Sequence, residues 1–137
     1  MNRGKLYGVG VGPGDPELLT RKAERIIRAS AVLAVPDKGA GEKTALNIIG
    51  PLADGKERLD CSTPMVRDQA VLDAAYDRAA DAICEKLDQG KDVAFITLGD
   101  PTVYSTYIYI HRRVLSRGYG AEIIPGVPSF CAVAARL

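Results

Sequence analysis

Histidine and cysteine are scarce in this sequence, and neither sign of charge is in excess. His111 is the single histidine, and Cys61, Cys84 and Cys131 are the three cysteines. The thiols are odd in number, widely spaced and free of any Cys-x-x-Cys pair, so neither a disulfide framework nor a zinc site is indicated. No second histidine or cysteine stands at metal-ligand spacing. A reducing cytosol suits such a chain, and a cytoplasmic location is the expectation. With 18 basic against 17 acidic side chains, there is no electrostatic case for binding nucleic acid. No apolar run approaches the ~18 residues of a membrane span. The start, Met1 to Lys5, leads straight into a strand-like stretch, so no secretory signal is expected either. A Gly-x-Ser-x-Gly elbow and a Ser/His/Asp order are both missing, which removes the usual case for a hydrolase.

What is present is a globular balance: 137 residues, 47% hydrophobic and 26% charged, enough for one domain that buries roughly two thirds of its unfolded surface. The organising stretch runs from Asp92 to Thr106. Val93 to Leu98 is apolar and β-branched, suited to a strand buried on both faces. It stops at Gly99, and Asp100-Pro101 has the form of a helix start, an acidic cap followed by proline at the first helical position. Open parallel sheets bind small molecules outside the carboxyl ends of their strands, which makes this turn the first place to look for chemistry.

Similar turns recur along the chain. Lys5 to Val11 reads as a first strand ending in Gly12-Pro13-Gly14. Asp15 and Pro16 then open a helix whose Leu19, Ala23, Ile26 and Ile27 share one face. Ala31 to Val35 is a second strand halted by Pro36, followed by a polar loop, Asp37 to Glu42, expected to be mobile. Lys43 to Ile49 has room for two helical turns, and Arg58 to Cys61 is a weak third strand. Asp68 opens the longest helix, with Leu72, Ala75, Tyr76, Ala79, Ile83 and Leu87 on one face and Gly90 as its carboxyl cap. The fourth strand is the organising one, a helix is expected from about Val103 to Ser116, and Ala121 to Ile124 is a fifth strand. It ends in Pro125-Gly126-Val127-Pro128-Ser129, and a last helix begins at Phe130. Alternating strands and helices predict a three-layer α/β domain with a mainly parallel five-stranded sheet. A chain that stops a few residues into a helix reads as the front half of something larger.

Three glycine- and proline-rich turns, Gly12 to Pro16, Gly99 to Pro101 and Gly126 to Pro128, are therefore expected along one rim. Either they line a cofactor site with bare backbone or they are only tight connections, and the residues leave both open. Charge bears on which cofactor would fit. A dinucleotide site asks for Gly-x-Gly-x-x-Gly and free amides facing the pyrophosphate. In Gly10-Val11-Gly12-Pro13-Gly14-Asp15, however, an aspartate replaces the third glycine and Pro13 has no donor. Asp15 and Asp100 would repel phosphate. Asp37, about twenty residues on and just after the second strand, is the one feature favouring a dinucleotide. A ligand with an adenine, hydroxyls and a positive centre suits the turns better, and S-adenosylmethionine is of that kind. His111, beside Arg112 and Arg113, reads as part of a solvated helix face. Tyr107 and Tyr109 read as core aromatics, and Tyr104, one turn past the loop, is a candidate contact.

The residues from Gly4-Lys5-Leu6-Tyr7-Gly8-Val9-Gly10-Val11-Gly12-Pro13-Gly14-Asp15-Pro16 to Ile124-Pro125-Gly126-Val127-Pro128-Ser129-Phe130 resemble the tetrapyrrole (corrin and porphyrin) methyltransferases. Thr97-Leu98-Gly99-Asp100-Pro101-Thr102-Val103-Tyr104-Ser105-Thr106-Tyr107 is similar to the branch that methylates C20 of precorrin-2 or cobalt-factor II, as is Pro64-Met65 with Asp68 shortly after. The resemblance implies S-adenosylmethionine as cofactor and S-adenosylhomocysteine as product, a tetrapyrrole substrate and a homodimer. It implies cofactor contacts at Pro13, Leu98, Gly99, Asp100, Val103, Tyr104, Pro128 and Ser129, with Asp100 either electrostatic near the sulfonium or a structural cap. The family carries a second α/β domain that is missing here. Residues 1–137 are thus expected to form the amino-terminal domain, cut within the linking helix and inactive alone. The competing expectations are a dinucleotide-binding domain of an oxidoreductase and a noncatalytic binding or assembly module.

Overall fold

The computed structural model describes residues 2–37, 44–103 and 106–136. Five strands, β1 (Leu6–Gly10), β2 (Val32–Asp37), β3 (Glu57–Ser62), β4 (Val93–Thr97) and β5 (Ala121–Ile124), form one sheet in the order β3-β2-β4-β1-β5. Every pairing is parallel, so the expected mainly parallel sheet is parallel throughout. Among the described residues, five α-helices accompany it: α1 (Arg21–Ala29), α2 (Thr44–Ile49), α3 (Gln69–Asp88), α4 (Tyr107–Ser116) and α5 (Ser129–Ala135).

β4 explains the layering. All five of its residues are buried, because its alternating side chains serve two cores. Val93 and Phe95 pack with Tyr76, Ile83 and Leu87 of α3 and with Tyr107, Ile110 and Val114 of α4. Ala94 and Ile96 pack with Ile26 and Ile27 of α1 and with Ile48 and Ile49 of α2. A strand covered on both faces leaves little place for polar side chains, hence its apolar run from Val93 to Ile96, broken only by the terminal Thr97. The edge strand β3 is covered less and is exposed along most of its length.

Three departures from the boundaries read in the sequence bear on the site or its chemistry, beside shifts of a residue or so at other strand and helix ends. Asp15 caps a single 3-10 turn, Pro16–Leu18, through a bond from the Glu17 amide, whereas α1 begins at Arg21 with Thr20 as its cap. A proline start with an acidic cap serves a short turn as readily as a long helix. Pro36 does not halt β2, which runs on to Asp37. The Asp37 carbonyl accepts from Thr63 N on the β3 side, so strand alternation turns the Pro36 nitrogen toward β4, where pairing has already ended at Ala34↔Phe95. The missing donor costs no ladder bond there. Finally, α4 starts at Tyr107 and not at Val103. The expected loop after Asp37 and the residue Lys43 fall in residues 38–43, outside the described residues.

Topology places the site. β1 leads through α1 toward β2, and β4 leads through α4 toward β5 in the opposite direction and on the other face of the sheet. The adjacent carboxyl ends of β1 and β4 are thus a topological switch point, where departing connections leave room for a ligand.

Candidate functional site at the carboxyl rim of the sheet

The three turns expected along one rim are in contact with one another. Beyond its last residue β1 keeps hold of β4: Val11 N donates to Thr97 O at 3.0 Å, Gly12 N to Gly99 O at 3.3 Å and Gly99 N to Gly12 O at 2.8 Å. The β5 turn lies against both. A Cβ on Gly126 would stand 2.2 Å from the Gly99 carbonyl oxygen and 2.8 Å from Gly10 Cα, and a Cβ on Gly10 would stand 2.7 Å from Gly126 N. Backbone separated by more than a hundred residues therefore packs with no side chain between. Gly99 itself is held at φ +68.

Asp100 fastens this arrangement. Its side chain is buried; Oδ1 accepts from Gly126 N at 2.9 Å, and Oδ2 accepts from Thr102 N at 2.9 Å and from the Thr102 hydroxyl. Burial pushes its carboxyl up, but the bonds from Thr102 and Gly126 outweigh that and hold it below the ordinary range. Asp100 therefore stays ionised and joins the β4 turn to the β5 turn. It caps no long helix. Val103 N returns to Asp100 O at 3.2 Å, closing a turn four residues before α4 begins.

Of the other predicted site residues, Gly99 and Pro128 are brought together: a Cβ on Gly99 would lie 3.6 Å from Pro128 Cα. Pro13 follows the bridged Gly12 and is half-buried, as is Val103. Leu98 is 48% exposed at the end of β4, an apolar side chain presented on the rim. Ser129 is exposed at the start of α5. Tyr104 lies outside the described residues. Gly10, Gly126 and Thr102 build the site without having been singled out as contacts. The glycines inside the turn motifs were the available signal, but their partners lie too far along the chain to be read from it.

His111 is not on a solvated face. It is 8% exposed, and its Nδ1 lies 2.7 Å from the hydroxyl of the fully buried Tyr107. Burial lowers its pKa. Tyr107 fits beneath β1 because position 8 is glycine; a Cβ there would stand 2.2 Å from the ring. Tyr109 is not a core residue as expected: it is exposed, and its ring stacks on Tyr76 at the surface between α3 and α4, with centroids 5.4 Å apart. Of these aromatics it is Tyr107 that packs against the sheet, with its ring centroid 5.1 Å from that of Phe95. No group of three His, Cys, Asp or Glu side chains suited to a metal occurs among the described residues.

The chain is an open parallel α/β domain, a class whose small-molecule sites lie outside the carboxyl ends of the strands, at the switch point. The profile of the Tetrapyrrole (Corrin/Porphyrin) Methylases matches residues 5–137, and the chain belongs to that family. A cobalt-precorrin-2 C(20)-methyltransferase of Salmonella typhimurium is 39% identical over 135 residues, covering 97% of this chain and 56% of that protein. A protein of Methanocaldococcus jannaschii described as a probable enzyme of the same name is 39% identical over 134 residues, 57% of its length. The chain thus spans about half the length of the curated relatives it matches. Among solved structures, a uroporphyrin-III-C-methyltransferase from Thermus thermophilus superposes with a TM-score of 0.68 at 30% identity, over 97% of this chain and 52% of the other.

Proposed function

We propose that this chain is the amino-terminal, cofactor-binding part of a methyltransferase that acts on C20 of precorrin-2 or its cobalt form, in cobalamin biosynthesis. Bound S-adenosylmethionine would supply the methyl group, leaving S-adenosylhomocysteine. The observation that carries this reading is how the rim spends its amides. Gly12 N, Gly126 N and Thr102 N already donate to protein oxygens, and a pyrophosphate would need such donors bare. The fixed charge of Asp100 just behind them disfavours phosphate and favours a cation such as a sulfonium. The dinucleotide alternative rests only on the fold and on Asp37.

In this reading Pro13, Leu98, Gly99, Val103, Tyr104, Pro128 and Ser129 contact the cofactor. Asp100 holds two of the three turns in register and adds its charge from behind them. Methyl transfer by direct displacement asks chiefly for alignment and exclusion of water, so rigid positioning can carry much of the rate. The further length of the related enzymes would close the rim and cover the exposed Phe130 and Val133 of α5. The names of the relatives and the resemblance of the Thr97 to Tyr107 segment support C20 as the target. A homodimer accompanies this reading from the resemblance, and a cytosolic location from the few, widely spaced cysteines.

Calorimetry with S-adenosylhomocysteine and with NAD tests it. The chain is expected to take up the former, gaining about 2.7 kcal/mol of stability at a hundred times its dissociation constant. Binding of NAD in its place overturns the proposal. If neither binds, the same titration on a chain of the relatives' full length separates an incomplete site from a wrong assignment.

A further inference from the structure

The segment after β3 has no part in the cofactor rim as described, yet it lies on the same edge of the molecule. All five strands run parallel, so the residues following β3 emerge beside those following β4. One strand, β2, intervenes, which sets the two exits about 10 Å apart. The β3 exit lies on the far side of β4 from β1 and β5, whose turns complete the interlocked rim with that of β4.

Residues 63–68 are secured at both ends. Thr63 is buried, and its amide donates to Asp37 O at 2.8 Å. Asp68 caps α3, accepting from Ala70 N at 2.9 Å and Val71 N at 3.4 Å. Between these anchors Met65 is 79% and Val66 45% exposed, with Val71 44% exposed in the first turn of α3. The exposed guanidinium of Arg67 follows directly. Single exposed apolar residues need no explanation. A methionine and a valine held out together on an anchored segment, on the edge that also presents Leu98, do.

We infer that residues 63–68 form the substrate-facing part of the rim, with Met65 and Val66 against the macrocycle of the tetrapyrrole and Arg67 on its peripheral carboxylates. This rests on the methyltransferase reading and names the surface that would take its substrate. A tetrapyrrole presents an apolar ring edged by carboxylates, and this segment offers the matching pair of chemistries within three residues. Methionine is flexible and polarisable and adapts to ring faces. The arginine fork matches a carboxylate with two parallel bonds. Aligned this way, the ring extends across the rim from β3 toward β4, and its edge reaches the turns assigned to the cofactor.

The test is a titration of the chain with uroporphyrin III, a porphyrin carrying eight carboxylates, followed by the shift of its main visible band. S-adenosylhomocysteine calorimetry is run on the same proteins. The parent chain is expected to bind the porphyrin, and Arg67→Glu and Met65→Ala to weaken it by about tenfold or more each. Met65→Leu should stay near the parent, and S-adenosylhomocysteine affinity should be unchanged in all three. Porphyrin affinity unaltered in Arg67→Glu and Met65→Ala overturns the inference. So does a parent chain that binds no porphyrin, or a Met65→Ala defect that tracks loss of self-association. Failure of S-adenosylhomocysteine to bind while the porphyrin results hold counts against the cofactor assignment instead.

Discussion

Asp100 is the residue on which the candidate site depends most. Replacing it with alanine leaves Gly126 N without its acceptor and releases the β5 turn from the β4 turn. Stranding a partly buried amide costs about 1–3 kcal/mol, and denaturant melts of Asp100→Ala should show a loss of that size. The acid dependence follows from its lowered pKa. The stability contributed by the ionised carboxylate is complete above the unfolded value, near pH 4, and is lost as the pH falls toward the lower folded value. The gap between parent and variant should therefore be constant at neutral pH and close in strong acid. Stability curves that run parallel from neutrality down to pH 3 would remove Asp100 from this role. The sequence offered two roles for this residue, a charge near a sulfonium or a helix cap. Its actual partner, the amide of Gly126, lies twenty-six positions away and could not be read from local spacing.

At the scale of single elements, α4 is held by a buried polar pair. Tyr107→Phe removes the hydroxyl that satisfies His111 and should cost about 1–2 kcal/mol, measured by thermal or denaturant unfolding. His111 gives α4 a pH dependence of its own. Burial lowers its pKa below the ordinary 6.5, so its neutral form contributes fully above that value, and the contribution drains as the pH falls toward the folded pKa. No other side chain here has an ordinary pKa between 5 and 7, so His111→Gln should flatten the stability profile just below about pH 6.5. A slope that persists in the variant would rule His111 out as its source. Most elements were legible, because a period of four, seven and eight residues dictates a helix face and β-branched runs dictate strands. Helix starts were less so. Asp15-Pro16 and Asp100-Pro101 carry start signals, yet each opens only a short turn, since caps satisfy local amides whether or not a helix continues.

At the scale of the molecule, the sheet shelters two of the three thiols. Cys61 and Cys84 are buried and Cys131 is exposed on α5. Burial, with Asp60 nearby, pushes the Cys61 thiol up to about 12, and Cys84 is raised mainly by burial as well. A thiol reagent at neutral pH should therefore modify one cysteine quickly in the folded chain and all three after unfolding. Rapid modification of a second thiol in the native state would contradict the packing of α3 and β3 described here.

The sequence alone determined the α/β class, the parallel sheet and the three turns that matter, because hydrophobic period and glycine-proline punctuation are local signals and this chain states them clearly. Only the tertiary structure decided that the turns interlock. It placed the carboxylate of Asp100 on an amide of the β5 turn, buried His111 under the sheet, and set Met65 and Arg67 on the same edge as Leu98. Each of those facts depends on which strands become neighbours. Strand order is fixed by the handedness of the crossovers and by the packing of two cores, and no window along the chain contains it.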